Sequence, residues 1–483
     1  MPDEPQPQIP TPTDTRTLSR SAASVSAPGD SPARPAAPAR PAASAPPAAP
    51  VPPGASGAVR LTRLLVVGLV LAALNLRPAI TSLGALLEEV RDGLHMSGSV
   101  AGVLTSVPPF CFAVFGFTAP RLARRYGPGA VVCASMVAIT AGLLIRPFAG
   151  GTAGFLAASA FALMGIAVSN VLMPVIVKRY FPDRVGTMTG LYSMALALGT
   201  AVAAAVTVPM TEALGGSWRT GLGVWAVLAA VAVLPWTGLV RDRGVTGAGA
   251  GVSTGATGAP AGVSTAAVAP GPAGPAASGG PAGPIPGLRL GRSRTAWALA
   301  CFFGLQATGA YITMGWMPQV FRDAGVPAGT AGLLLAVTMV MGVPLAFVIP
   351  GLAARMRNQG PIVVALGLCG LTAYSGLYVA PAEGAWVWVV LLGISNCSFP
   401  LALTMIGMRS RSGAGVVRLS AFAQSTGYLI SIPGPLLVGV LYQHTGGWGL
   451  PIALMAGFLV PQMVAGVIAG RDRTIEDEAR MRD

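Results

Sequence analysis

Arg77 is the residue in this sequence whose type and position most directly indicate chemistry. It lies in an apolar run that begins near Leu64, so about thirteen helical residues, or roughly 20 Å of helix, precede it. An arginine at that depth in an apolar medium is unfavourable by several kcal/mol unless it faces water or a counter-ion. No acidic residue lies well inside any apolar run, and Glu88 and Glu89 follow only at the end of this one. Binding of an anionic or electron-rich ligand is therefore favoured for Arg77, with a snorkelling or carbonyl-paired structural arginine as the alternative.

Two asparagines form the next group of candidate binding residues. Asn170 and Asn396 each lie four residues before a proline, Pro174 and Pro400, inside an apolar run. Polar groups beside a kinked helix can line a water-filled cavity, although buried amides also join helices to one another. The sequence leaves both roles open for the pair.

Amide and phenol side chains in two later apolar runs complete the candidates. Gln424 and Tyr428 are four residues apart and share a helix face. Gln306 and Tyr311 are five residues apart and share a face less closely. Cavity lining and helix packing remain alternatives for both pairs. The candidate ligand-binding residues are therefore Arg77, Asn170, Asn396, the five-apart pair Gln306 and Tyr311, and the four-apart pair Gln424 and Tyr428.

Residue clusters typical of enzymes and cofactor sites are missing from the sequence. The apolar runs hold no paired aspartates, no histidine cluster and no H-E-x-x-H, and no G-x-x-x-x-G-K-[ST] loop occurs. The cysteines have no C-x-x-C spacing and are expected to behave as small apolar side chains; they are Cys111, Cys133, Cys301, Cys369 and Cys397. We therefore expect no enzymatic activity, no metal and no cofactor.

The composition shows what kind of element must hold these residues. Of 483 residues, 53% are hydrophobic and 10% are charged, and the mean hydropathy is +0.66. Soluble domains carry roughly 25% charged residues, and a soluble protein so poor in charge would expose large apolar patches. Most of the chain must therefore lie in a lipid bilayer, and its length allows about twelve helices of 20–25 residues.

Twelve apolar runs are predicted to be membrane-spanning helices, six before and six after a Gly/Pro-rich segment. The fold predicted is all-α, with spans near 62–87, 98–120, 129–146, 152–177, 186–210, 218–240, 295–320, 329–353, 361–380, 385–407, 417–442 and 449–469. The predicted organisation is a disordered tail (1–60), an N-terminal six-helix half (61–243), a flexible linker (244–292), a C-terminal half (293–470) and a short tail (471–483).

The positions of the charges predict the topology. The net charge of +14 arises from arginine clusters after the even-numbered spans and around the linker, whereas the alternate loops hold only Arg91, Arg146, Arg219 and Arg322. By the positive-inside rule, both termini and the linker face the cytoplasm, in a cell (inner or plasma) membrane. This pattern does not favour nucleic-acid binding. Trp316 and Trp448, near span ends, are expected to anchor the protein at the membrane interface.

The two halves contain matching segments. Pro120 to Arg125 after the second span resembles Pro350 to Arg355 after the eighth, and Asn170 to Pro174 matches Asn396 to Pro400 at nearly the same offset. A parallel repeat of six spans is the plan of major facilitator transporters, whose substrate binds near the midplane between the halves.

Several motifs resemble one family within that group, the cyanate/2-nitroimidazole transporter (CynX/NimT-like) family. They are Asn75-Leu-Arg-Pro78 with the following Ala79 to Gly84, Asn170 to Pro182, Phe303 to Pro318, and Leu419 to Tyr428 with Gly434-Pro435. The resemblance covers roughly 62–470 apart from the linker. It implies a secondary transporter with cyanate-like anions and nitroimidazole-like compounds as precedents. One departure is Arg124, which stands where the superfamily usually has an acid, so a gating ion pair at that place is not expected.

The sequence thus predicts a monomeric carrier in a lipid bilayer that moves a small-molecule substrate by alternating access, either facilitative or secondary active. A drug or metabolite exporter of the same superfamily is the alternative. A membrane-embedded enzyme lacks its catalytic groups, and a scaffold or receptor does not account for the repeat. The coupling ion is left open, because no titratable acid or histidine lies inside a span.

Overall fold

The computed structural model describes residues 55–246 and 290–481, and every regular element in these two ranges is helical. The tail predicted for 1–60 and the linker predicted for 244–292 lie almost entirely outside the described residues. The first helix nevertheless begins at Ala55, inside the predicted tail, and the last helix before the gap ends at Thr246, inside the predicted linker.

Nine α-helices lie in the described residues before the gap, and we call them the N-terminal group. They are α1 (Ala55–Asn75), α2 (Pro78–Ala85), α3 (Leu87–Leu94), α4 (Gly98–Tyr126), α5 (Pro128–Ile145), α6 (Thr152–Tyr180), α7 (Val185–Ala213), α8 (Trp218–Gly223) and α9 (Trp225–Thr246).

Nine more described helices follow the gap, and we call them the C-terminal group. They are α10 (Arg294–Asp323), α11 (Ala328–Arg355), α12 (Gly360–Val379), α13 (Ala385–Ser395), α14 (Ser398–Met408), α15 (Gly413–Ser431), α16 (Pro433–Thr445), α17 (Gly449–Ala469) and α18 (Ile475–Arg480).

The described residues contain twelve segments that are long and apolar enough to cross a bilayer, and each overlaps one predicted span. The all-α fold with twelve spans is therefore confirmed. Some spans are broken rather than continuous: α1 and α2 form the first span, α13 and α14 the tenth, and α15 and α16 the eleventh.

The packing of helices repeats between the two groups. The third span (α5) packs against the fourth and sixth (α6, α9), as the ninth (α12) packs against the tenth and twelfth (α13, α17). Between the groups, the second span packs on the eleventh (α4 on α16) and the fifth on the eighth (α7 on α11). The second span corresponds to the eighth in the repeat, and the fifth corresponds to the eleventh. The two contacts between the groups are therefore equivalent, as a two-fold pseudo-symmetric bundle requires.

The two groups meet closely at only one end of these contacts. A Cβ atom added at Gly332, near the start of α11, would lie 2.5 Å from the carbonyl oxygen of Ala204 in α7. Added Cβ atoms at Gly190 and Gly342, which lie nearer the arginine-rich loops on the same two helices, would meet no atom within 4 Å. We call the tightly packed side the closed end and the other side the arginine-rich end.

The short C-terminal helix α18 joins the starts of two spans at the arginine-rich end. The Glu478 carboxylate accepts hydrogen bonds from the hydroxyls of Ser293 and Thr295, both 2.6 Å long, where α10 begins. The Glu476 carboxylate accepts a 2.6 Å bond from the Ser410 hydroxyl in the loop before α15. Carboxylates at helix N-termini satisfy free N–H groups and interact favourably with the helix dipole.

Arg409 differs from the loop arginine that the charge pattern indicates. It is 2% exposed, and its guanidinium donates to the carbonyl oxygens of Ala469 (2.8 Å) and Gly470 (2.9 Å) and to the side chain of Gln359. It therefore fixes the end of α17, whose last carbonyls have no partner within the helix.

Hydrogen bonds lower the pKa values of the two α18 carboxyls, those of Glu476 and Glu478. Partial burial acts to raise the pKa of Glu476 and of Glu478, but the hydrogen bonds from Ser410 to the first and from Ser293 and Thr295 to the second outweigh it and lower both pKa values. A carboxyl whose pKa is lowered in the folded state stabilises that state above its unfolded pKa, about 4.3, and loses this effect as the pH falls further.

We predict that the double variant Glu476→Gln/Glu478→Gln melts a few degrees below the parent protein at pH 7 in detergent. The difference should shrink as the pH falls below the unfolded-state pKa, about 4.3, and through the lowered pKa of each carboxyl in the folded protein, because the parent carboxylates then become protonated. Glu383→Gln, an exposed acid at the closed end, is the matched control and should leave the melting temperature unchanged. Equal melting temperatures of the double variant and the parent at pH 7 would contradict a stabilising role for α18.

Candidate functional site

A break in the first span determines the position of Arg77. Pro78 has no N–H and so removes one hydrogen bond of the helix, and the span is interrupted here: α1 ends at Asn75 and α2 begins at Pro78. The N–H groups of Ile80 and Thr81 bond to the Arg77 carbonyl instead, at 2.9 and 3.1 Å. Arg77 is the residue that precedes α2, and its side chain enters a cavity between the two groups of helices.

Two neighbouring helices support this break. A Cβ atom at Gly199 of α7 would lie 2.3 Å from the Leu74 carbonyl oxygen, so only glycine permits the backbones to approach so closely. Arg146, placed by the sequence in a loop, is 2% exposed, and its Nη1 donates to the Ala79 carbonyl of α2 at 3.1 Å. These contacts hold the broken span beside the cavity.

The cavity has a volume of about 240 Å³ and is lined by both groups of helices. Arg77 and residues of α7 line one side, and residues of α10, α11, α14 and α15 line the other. Gly190 and Gly342, which lie toward the arginine-rich end, also line the cavity, and a Cβ atom added at either would meet no atom within 4 Å. Its lining residues include no carboxylate, and Arg77 is the one charged side chain among them.

Arg77 interacts with phenols from the opposite group. Tyr311 and Tyr428 both lie close enough to the Arg77 guanidinium to interact electrostatically with it. Phe112 stacks on Tyr428, with ring centroids 5.2 Å apart, and Phe303 meets the same ring edge-on at 5.2 Å. The aromatic contacts fix the Tyr428 ring, and phenol oxygens solvate the cation without neutralising it.

Five of the seven residues that the sequence predicts for binding line this cavity: Arg77, Gln306, Tyr311, Asn396 and Tyr428. Gln306 is 4% exposed, and its Oε1 has no hydrogen-bond partner among the described residues. A buried polar atom without a partner is unfavourable, so a group that enters the cavity and bonds to this amide would be stabilised.

Asn170 and Gln424 do not line the cavity. Asn170 lies within α6, which runs through Pro174 without a break, whereas the tenth span breaks at Asn396. The matching motifs therefore adopt different local structures in the two groups. The amide nitrogen of Gln424 donates to Ser420 in the preceding turn of α15 at 2.7 Å, so this part of the side chain is used within its own helix.

Some cavity residues have no distinctive sequence signal. Thr200, Thr338, Met194 and Met339 all contribute to the wall, and they lie in apolar runs where such residues are common. Thr200 and Thr338 bond to carbonyls of the preceding helical turn, at 2.7 and 3.0 Å.

Of the two tryptophans near span ends, Trp316 does not take the predicted anchoring role. Trp316 is fully buried, and its indole N–H donates to Thr105 of the opposite group at 3.0 Å. The indole of Trp448 donates to Asp323 at 2.8 Å. An indole N–H needs a partner when it is buried, and that of Trp316 finds one in the protein.

The electrostatics of the cavity favour one class of ligand. A positive charge without a carboxylate partner, surrounded by apolar walls, attracts a single negative charge and excludes cations. Two helix N-termini add to this, because α2 begins next to Arg77 and α14 begins next to Cys397, which also lines the cavity. Partial positive charge at such termini stabilises anions.

Comparison with known proteins gives the family. A Major Facilitator Superfamily model matches residues 65–432. The chain is 33% identical over 426 residues to the uncharacterized transporter YycB of Bacillus subtilis (strain 168), covering 87% of this chain and 96% of that protein.

Two further relatives come from Escherichia coli (strain K12). The chain is 28% identical over 413 residues to the 2-nitroimidazole transporter, covering 85% of this chain and 96% of that one. It is 27% identical over 397 residues to the cyanate transport protein CynX, covering 82% and 94%. The similarity to both extends over the predicted repeat. The chain therefore belongs to the Major Facilitator Superfamily, and it is a multi-pass membrane transporter of small solutes rather than an enzyme.

Proposed function

We propose that the protein carries small ring-containing monoanions across the membrane, with Arg77 as the anion-binding residue. The observation that supports this most directly is the single cation in an apolar cavity without a carboxylate among the lining residues. A substrate with one negative charge would neutralise Arg77 inside the bundle, and a charge-assisted hydrogen bond contributes about 1.5–3 kcal/mol. Residues of one chain complete the cavity, so a monomer suffices.

The size and lining of the cavity favour a ring over a triatomic anion. A volume of about 240 Å³ is far larger than cyanate and lies near the lower limit of ligand pockets, roughly 300 Å³. Tyr311, Tyr428 and Phe399 offer aromatic surface beside the cation. A flat heteroaromatic or aromatic anion would bury its ring against these side chains, whereas cyanate would leave the walls in contact with water. Transport of 2-nitroimidazole by a relative agrees with this choice.

The direction of access follows from the arginine pattern. We assign the arginine-rich end to the cytoplasm, with both termini on that side, so the cavity described above faces inward. Alternation would then require the closed end to open while the arginine-rich end closes. No acid or histidine lines the cavity, which favours facilitated diffusion or exchange over proton coupling at the binding site. Export of the substrate through the same cavity is the alternative, because neither the cavity nor the fold determines the direction of net transport.

We predict that Arg77→Ala weakens benzoate binding to the purified protein by about 10- to 150-fold, and that Arg77→Lys weakens it less. The lysine retains the charge but loses the planar donor pair. Isothermal titration in detergent measures the affinity, and Asn170→Ala, a polar-to-apolar change outside the cavity, is the control that should bind normally. A folded Arg77→Ala protein with parental affinity would disprove the role of Arg77.

A second prediction separates charge from ring. Benzoate should bind to the site more tightly than benzamide, which has the same ring without the charge. It should also bind more tightly than cyanate, which has the charge without the ring. Burial of a six-membered ring contributes about 1.5–3 kcal/mol, so the advantage over cyanate should exceed about tenfold. Tyr428→Ala should reduce this advantage and leave cyanate affinity nearly unchanged. Tighter binding of cyanate than of benzoate would favour a small inorganic anion as substrate.

The orientation gives a third prediction. A fluorescent protein that folds only in the cytoplasm, fused after Asp483, should fluoresce in intact cells, because the basic clusters retain that side of the chain inside. An alkaline phosphatase fused at the same residue should be inactive. The reverse pair of results would invert the assigned topology.

A further inference from the structure

Two buried arginines differ in how far their guanidinium groups are satisfied. Arg146 and Arg409 are each 2% exposed. Arg409 donates from Nε to the Ala469 carbonyl at 2.8 Å and from Nη2 to the Gly470 carbonyl at 2.9 Å, and its Nη1 lies 3.9 Å from a carboxylate oxygen of Asp472. Each of its three nitrogens therefore has a partner, and a carboxylate lies beside the charge.

Arg146 has fewer partners for the same burial. It begins the short turn Arg146–Phe148 between α5 and α6, and its Nη1 is bonded to the Ala79 carbonyl. Its Nε and Nη2 are buried without a hydrogen-bond partner among the described residues, none of whose carboxylates forms an ion pair with it. A buried charge in this condition is strongly unfavourable, so the described residues leave Arg146 in need of a counter-ion.

The two unpartnered nitrogens lie on the same edge of the guanidinium group. Nε and Nη2 each direct an N–H outward from that edge in nearly parallel directions, and this fork is the arrangement that recognises anions. The bonded Nη1 is directed toward α2 and leaves the fork free. An ion that accepts both N–H groups would therefore occupy one defined place in the plane of the guanidinium.

Apolar side chains beside the guanidinium limit what can bind there. Its central carbon lies 5.7 Å from the centroid of the Phe155 ring, which is completely buried. Trp218 packs edge-on against that ring, with centroids 6.0 Å apart. An aromatic ring attracts a cation without neutralising it, so Phe155 does not replace a counter-ion. Burial of this degree favours a small ion over an organic anion.

Two features of the neighbouring helices suit a small anion. Ser82 lies one turn after Ala79 in α2, so the two residues share a helix face, and its buried hydroxyl also has no partner among the described residues. Packing of α8 against the turn is loose, because a Cβ atom added at Gly223 would meet only Cγ of Pro147 outside its own helix, at 3.8 Å. A hydroxyl offers a further donor, and the loose packing allows the turn to accommodate an ion.

We propose that Arg146 binds chloride, at a site distinct from the cavity, which Arg146 does not line. Chloride accepts both N–H groups of the fork and neutralises the charge, whereas a water molecule satisfies the N–H groups but leaves the charge uncompensated. A divalent oxyanion would exchange an unbalanced positive charge for an unbalanced negative one. The bound chloride holds Arg146 against the first turn of α2, where Ala79 lies, and so stabilises the broken first span.

Replacement of gluconate by chloride tests the site without any transported solute. A ligand that binds only the folded protein raises its stability with the logarithm of the ligand concentration above the dissociation constant. The melting temperature of the purified parent protein in detergent should therefore be higher in sodium chloride than in sodium gluconate of equal ionic strength, by at least about 2 °C. Equal melting temperatures in the two salts would overturn the proposal.

Three variants locate the origin of this rise. Arg146→Gln removes the fork, so the rise caused by chloride should disappear. Arg409→Gln, the matched control, removes an equally buried arginine whose nitrogens have partners, so it should lower the melting temperature in both salts and retain the rise. Arg77→Gln should also retain it. A rise that persists in Arg146→Gln, or that is lost in Arg77→Gln, would assign the chloride to another place and overturn the proposal.

Bromide locates the ion in the parent protein itself, so this measurement does not depend on whether Arg146→Gln folds. Bromide has the charge of chloride and scatters X-rays anomalously. Crystals grown in sodium bromide should show an anomalous peak on the Nε–Nη2 edge of Arg146. No peak at that edge, or a peak at Arg77 alone, would refute the site. Benzoate binding, measured separately, bears only on the proposed function, because neither salt experiment contains a transported solute.

Discussion

Arg77 places a positive charge in the middle of an apolar helix bundle, where an isolated ion is unfavourable by several kcal/mol. Much of the local structure can be understood as a response to this charge. The break at Pro78 places the side chain at a cavity, Gly199 lets α7 approach the Leu74 carbonyl, and two phenols of the opposite group lie near the guanidinium. None of these groups neutralises the charge, which is why we propose an anion as the substrate.

The two groups of helices share a packing scheme but differ where the chemistry lies. Asn170 and Asn396 occupy matching motifs, yet α6 continues through its proline while the tenth span breaks and brings Asn396 to the cavity. Proline removes one hydrogen bond in both places, and the surrounding helices determine whether the helix bends or separates. If the substrate is the ring-containing anion proposed above, these different walls would orient it with its charge toward α2 and its ring toward α10 and α15.

Closure relies on different interactions at different depths of the bundle. Near the closed end, backbone contacts at Gly98 and Gly102 and the ion pairs of Arg322 join the groups, while at the cavity the contacts are aromatic, as between Phe112 and Tyr428. The ion pairs are short and directional, so they are lost after a small displacement, whereas stacked rings tolerate sliding. A rocking motion about the aromatic layer would therefore change the closed end most.

The sequence by itself determined the elements and the family. Twelve apolar runs, their repeat and the motifs around Arg77, Asn396 and Tyr428 were sufficient, because membrane helices need long apolar segments and satisfy their backbone hydrogen bonds locally. It also identified Arg77 as the unusual charge. Only the tertiary structure decided which polar residues meet: it brought Gln306 and Asn396 to the cavity, left Asn170 and Gln424 outside it, buried Arg146 and Arg409, and joined Arg322 to Glu88 and Glu89. Side-chain partners more than two hundred residues apart depend on the rotation and depth of each helix, and those quantities are set by packing between helices rather than by the pattern along any one of them.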